Sequence, residues 1–147
     1  MRHAHTTATL AAVGVLLITL TAGGCAATAN LLDGCHFEIT KQSPEEVRGL
    51  WVESHAVAQC SPRPDRHDVK LVLQYQKAGS RTWTDQATDR SARIPPTPPG
   101  QLRFTVRATC RPGRWRAVAS ITATRGQTTA NKTAETPVQL VTGCQGR

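Results

Sequence analysis

Leu102, Phe104, Val106, Ala108 and Cys110 alternate with Arg103, Thr105, Arg107 and Thr109. A period of two is the signature of a strand with one buried face. Arg111-Pro112-Gly113 supplies turn chemistry. Trp115, Ala117, Ala119, Ile121 and Ala123 then alternate with Arg114, Arg116, Val118, Ser120 and Thr122. The pattern predicts two antiparallel strands in a hairpin, with an apolar face and an arginine face.

The same period recurs along the chain. Cys35, Phe37 and Ile39 form a short first strand. Leu50, Val52, Ser54, Ala56, Ala58 and Cys60 form a second, with Trp51, Glu53, His55, Val57 and Gln59 on its other face. Val69, Leu71, Leu73 and Tyr75 form a third, followed by a turn at Lys77-Ala78-Gly79-Ser80. A short strand is expected around Trp83, and Val138, Leu140, Thr142 and Cys144 close the pattern. Between these elements, Lys41 to Gly49 predicts a turn or a single helical turn capped by Ser43. Ser61 to Asp68 and Ala87 to Gly100 predict loops, the second holding the extended Pro95-Pro96-Thr97-Pro98-Pro99. Arg125 to Pro137 predicts a polar loop or frayed edge. No long amphipathic helix and no internal repeat are present. About seven short strands with frequent turns predict an all-β, antiparallel, immunoglobulin-like sandwich over residues 35–147.

The N-terminus changes the picture. Arg2 and two histidines precede Leu10 to Leu20, an uncharged and mostly apolar run of signal-peptide length. Its exit has two forms. Ala22-Gly23-Gly24-Cys25 is similar to a bacterial lipobox, in which Cys25 is lipidated and becomes the new N-terminus, although Ala22 stands where leucine is usual. Ala27-Thr28-Ala29 is an A-x-A site for ordinary cleavage, which would release a chain beginning at Asn30. The first form gives a signal peptide over 1–24 and a tether over 25–34. Cysteine parity favours it. Of five cysteines, assigning Cys25 to lipid leaves Cys35, Cys60, Cys110 and Cys144, an even set for an oxidising compartment. Two disulfides would add about 2–4 kcal/mol each to a small core.

All four of these cysteines fall in the apolar phase of their strands, as expected at the inner rim of a sandwich. If the first strand descends from Cys35 and the next rises to Cys60, both lie at one end. An intervening reversal brings Cys110 and Cys144 together in the same way. The pairing Cys35–Cys60 with Cys110–Cys144 is therefore expected. The rival, Cys60–Cys110 with Cys35–Cys144, requires the proline-rich loop to cross the sandwich.

Charge points to partners rather than to fold. The chain carries a formal net charge of +8, and Arg2 is the one cation ahead of Cys25, so +7 remains after export. Arg103, Arg107, Arg111, Arg114 and Arg116 lie outside the core phase of the predicted hairpin. They form a candidate anion-binding patch, since guanidinium matches phosphate and carboxylate bidentately. The competing interpretation is a solvated face that blunts edge pairing. No aromatic side chains interleave this face, so nucleic acid is disfavoured.

Other chemistry is sparse. The cysteine spacings of 25, 50 and 34 residues are unlike zinc modules. Asp65, His67 and Asp68 share a predicted loop and could ligate a metal weakly, but ordinary solvation accounts for them, so no metal or cofactor is expected. There is no nucleophile elbow, zincin motif or phosphate loop. Glu53 and His55 share one outward face, where a carboxylate and an imidazole could do acid–base work or form a plain surface pair. Trp51 lies out of the core phase, either packed under a loop or exposed for binding. Asn131-Lys132-Thr133 fits a glycosylation sequon, which a bacterial lipobox makes irrelevant.

The A-G-G-C exit and the Ala/Thr/Arg-rich composition resemble small exported lipoproteins of actinobacteria. The C-R-P-G-R-W-R stretch and the four-cysteine framework are similar to secreted β-sandwich proteins of mycobacteria and their phages. That resemblance implies no catalytic residues. The expectation is a surface-anchored, non-enzymatic binding module on the outer face of the cell membrane, with an anionic lipid, a cell-wall polymer or an acidic protein as partner. The alternative is a small envelope hydrolase, or an inhibitor of one, using Glu53 and His55.

Overall fold

A computed structural model describes residues 27–40 and 44–145. The leader, Cys25 and the Ser43 cap lie outside these residues. The chain is all-β, with ten strands among the described residues, in two antiparallel sheets of five. These are β1 (Ala27–Asn30), β2 (Cys35–Ile39), β3 (Glu45–Val47), β4 (Trp51–Cys60), β5 (Arg66–Gln76), β6 (Thr84–Ser91), β7 (Leu102–Thr109), β8 (Gly113–Arg125), β9 (Thr128–Glu135) and β10 (Gln139–Val141).

In the first sheet β4 is central. β7 runs along one flank, and β2 and β3 share the other, with β1 outside β2. In the second sheet β5 and β8 form the centre. β6 lies outside β5, and β9 and β10 share the far flank of β8. The inner faces meet in one core. Phe37, Ile39 and Val52 come from one sheet, and Leu71, Leu73, Trp115 and Ile121 from the other, all essentially buried. Burying such side chains is the main stabilising contribution, on the order of 1.5–3 kcal/mol each. Trp115 is the largest of them. Its indole N–H donates to the Arg111 carbonyl at 2.9 Å, and the Tyr75 ring packs 5.0 Å away.

The disulfides are Cys35–Cys60 and Cys110–Cys144. The first joins directly opposed residues of neighbouring strands, β2 and β4. The second ties the end of β7 to the segment after β10, and so links the two sheets.

Five sequence expectations need correction. Leu102 to Ala123 is not a hairpin. β7 pairs with β4, whereas β8 pairs with β5, β9 and β10, so Arg111-Pro112-Gly113 carries the chain from one sheet to the other. Gly113 is required there, because its φ is +151° and a Cβ would meet the Tyr75 ring at 2.6 Å. Residues 27–30, assigned to a tether, form β1. Residues 45–47, assigned to a turn, form β3. The turn from β3 into β4 then has both Arg48 and Gly49 at positive φ. Such left-handed geometry suits a tight antiparallel connection. The short strand expected around Trp83 instead begins at Thr84 and runs to Ser91, into the stretch assigned to a loop, and 128–135, expected as a polar loop or frayed edge, forms a regular edge strand. Finally, the phase of β10 is reversed: Val141 is buried, while Val138 and Leu140 face solvent.

Candidate functional site

The five candidate arginines are divided by this topology. Arg103 and Arg107 project from β7 on the outside of the first sheet, whereas Arg114 and Arg116 project from β8 on the outside of the second. Arg111 is exposed on the connection between them. They do not form one patch.

On the first sheet, Arg107 lies beside Glu53 because the two are register partners on β7 and β4. Arg107 Nε is 2.5 Å from Glu53 Oε1, an ion pair without well-aligned hydrogen-bond geometry. The guanidinium also lies 5.6 Å from the centre of the Trp51 ring, within cation–π range. Glu53 Oε2 is 3.3 Å from His55 Nε2, and Glu45 Oε1 on β3 is 3.4 Å from the same nitrogen. His55 Nδ1 meets Thr105 Oγ1 at 3.1 Å. Glu53 is buried although it points away from the core, because Arg107 and its neighbours cover it. A cavity of about 400 Å³ borders Glu53 and is lined by Val47, Arg48, Leu50, Trp51 and Arg107. His55 lies outside it.

On the second sheet a polar row crosses four strands. Gln74 Nε2 donates to Asp85 at 2.8 Å, and Arg116 Nε donates to Gln74 at 2.9 Å. Arg116 Nη1 donates to Glu135 Oε1 at 2.5 Å. Arg114 donates to Gln76 at 2.9 Å. The Trp83 ring covers Arg116, with its centre 4.4 Å from the guanidinium carbon. These arginines are held by glutamines and an aromatic ring, so they build the face as well as charge it.

Asp65, His67 and Asp68 do not converge. Asp65 accepts from the Gly126 backbone at 2.6 Å, while His67 occupies a core position of β5. Neither ring nitrogen of His67 has a hydrogen-bond partner. Burial pushes its imidazole below the usual histidine range, against smaller opposing contributions from the Arg93 backbone and the Asp68 carboxylate. Among the described residues no group of three metal-ligating side chains is arranged to hold a metal ion.

One feature was missed by periodicity. The exposed large hydrophobics among the described residues are Leu50, Trp51, Val138 and Leu140, and all belong to the same end of the sandwich. Leu50 accepts from the Cys110 backbone, Val141 pairs with Gly113, and the Gln145 N–H donates to Gly49. The signal available in sequence was Trp51 itself, an aromatic out of phase with its strand. Leu140 gave none, because its assigned phase was wrong.

No family model matches the chain, and no curated protein matches it either.

Proposed function

We propose that this protein is a non-enzymatic binding module of the cell envelope, exported and held at the outer face of the membrane by lipid on Cys25. The observation that carries this reading is β1. Ala29 is buried in the core and stands opposite Phe37. Cleavage after Ala29 would remove three of the four β1 residues, whereas cleavage before Cys25 keeps the strand whole. The two disulfides are compatible with an extracellular location. The basic excess favours an anionic envelope partner. A hydrolase using Glu53 and His55 finds less support, because the cavity beside Glu53 is lined without His55 and Arg107 already engages the carboxylate.

The test is metabolic labelling with a radiolabelled fatty acid, alongside the intact mass of the processed chain. Labelling should be lost in Cys25→Ala, and the mature wild-type chain should begin at Cys25. A wild-type chain beginning at Asn30 without lipid would overturn the anchor.

A further inference from the structure

We propose that the end of the sandwich carrying Leu50, Trp51 and Leu140 docks on an anionic lipid bilayer, an inference that rests on the Cys25 anchor. Three observations converge on it.

The first is where the chain leaves the fold. β1 is antiparallel to β2, and Ala27 stands level with Ile39 and Ala56. The N-terminal end of β1 therefore points toward the Trp51 end of β4. Only Ala26 lies between Ala27 and Cys25. Two residues reach about 7 Å at most, so a lipidated Cys25 gives the domain no slack. It must rest against the bilayer, with the Trp51 end nearer than the Cys35–Cys60 end.

The second is apolar exposure. Leu50 is 40 % exposed, Trp51 39 % and Leu140 70 %. A soluble surface has no need to gather them at one end, whereas an interfacial surface uses a tryptophan at headgroup level and aliphatic side chains beneath it. Leu50 and Trp51 begin β4 beside β3, and the residues around Leu140 line a shared groove with Pro44, Glu45 and Glu46, so the three surround one corner.

The third is charge. Arg48, Lys77, Arg81 and Arg111 are exposed in the turns of this end, and Arg114 stands opposite Leu140. The acids here are engaged. Glu46 accepts from the Gly49 backbone, Glu45 lies beside His55, and Glu53 pairs with Arg107. Cations around an apolar corner suit an anionic headgroup layer, and their effect fades with salt. The opposite end is basic too, with Arg63, Arg66 and Arg93 exposed, but it has no exposed large hydrophobic among the described residues, so only the Trp51 end combines cations with apolar side chains.

The experiment uses the processed, lipidated protein purified from membranes. It is reconstituted into vesicles of phosphatidylcholine, with or without phosphatidylglycerol, whose acyl chains are brominated near the headgroup. Tryptophan quenching is then read after flotation. Trp115 is buried in the core and Trp83 is only partly exposed, so Trp51, the most exposed of the three, is the reporter. The wild type and Trp83→Phe should float and be quenched, more strongly on anionic vesicles and less in 1 M salt. Trp51→Phe should float, keep the emission of buried Trp115 as evidence of folding, and lose most of the quenching. Flotation with no quenching, or with quenching that survives Trp51→Phe, overturns docking and leaves the anchor intact. Equal quenching on neutral vesicles and at high salt overturns the anionic requirement. A wild-type chain without lipid that fails to float overturns the anchor, and docking with it.

Discussion

Among the described residues each of the two sheets buries one titratable side chain, and they treat it differently. The first sheet buries Glu53 on its outer face, against Arg107 at 2.5 Å and His55 at 3.3 Å. The second buries His67 on its inner face, with both ring nitrogens unpartnered. A carboxylate charged at neutral pH cannot be taken from water without a cation beside it. An imidazole escapes that requirement by giving up its proton. The first arrangement therefore depends on a partner side chain, and the second depends on pH.

Removing the partner breaks the first arrangement. Arg107→Ala takes the cation away from the Glu53 carboxylate and uncovers it only in part, since residues of β3 and the start of β4 still border it. Because Arg107 is itself about half exposed, the loss is smaller than for a fully buried pair, about 2 kcal/mol by urea unfolding. The double variant Glu53→Gln with Arg107→Gln should recover more than half of it, since no charge is then left unpaired. A double variant as unstable as Arg107→Ala would mean that the Arg107 stem over Trp51, rather than its charge, supplies the stability.

Lowering pH breaks the second. The unfolded chain binds a proton on His67 near pH 6.5, whereas the folded chain resists it until lower pH. Below about pH 6.5 the unfolded state holds more protons, so stability falls as pH falls and is fully present above that value. One such group contributes a slope of at most about 1.4 kcal/mol per pH unit. In His67→Leu the melting temperature between pH 7 and 5 should fall less steeply than in the wild type, whatever its level at pH 7. Identical slopes would show that His67 is not the source of the acid sensitivity.

The contrast also explains what the sequence disclosed. Strands with an apolar face on a buried core, β2, β4, β5, β7 and β8, were legible because Phe37, Val52, Leu71, Phe104 and Trp115 recur at period two. The polar edge strands β6 and β9 were not, although the edge strand β7, with its apolar face, was. In Thr84–Ser91 and Thr128–Glu135 the inward positions are small or polar, such as Ala87, Ala130 and Ala134. β3 offers only Glu45, Glu46 and Val47, and owes its pairing to the turn at Arg48 and Gly49. The disulfides could be paired because Cys35 and Cys60 sit at matching ends of adjacent strands. Sheet membership was hidden, since alternation tells which face of a strand is buried and not which sheet it joins. That is why Arg103 and Arg107 were grouped with Arg114 and Arg116, and why the exposed end at Leu50, Trp51 and Leu140 escaped notice.

The two tryptophan–arginine stacks give the finest test of the same contrast. Arg107 on Trp51 and Arg116 on Trp83 look alike as pairs, and each reaches a carboxylate at 2.5 Å. The carboxylates differ: Glu53 is buried, whereas Glu135 is nearly half exposed. Water can solvate Glu135 when its arginine is removed, so nothing is stranded. Arg116→Gln should therefore cost less than 1 kcal/mol, the usual range for exposed ion pairs and stacks, and Glu135→Gln less still. The part of the Arg116 loss due to Glu135 should shrink in 0.5 M salt, as exposed charges are screened, while the loss in Arg107→Ala changes little. If Arg116→Gln instead costs as much as Arg107→Ala, the row from Asp85 through Gln74 and Arg116 to Glu135 acts as one cooperative network. Burial of the carboxylate would then not be what separates the two faces.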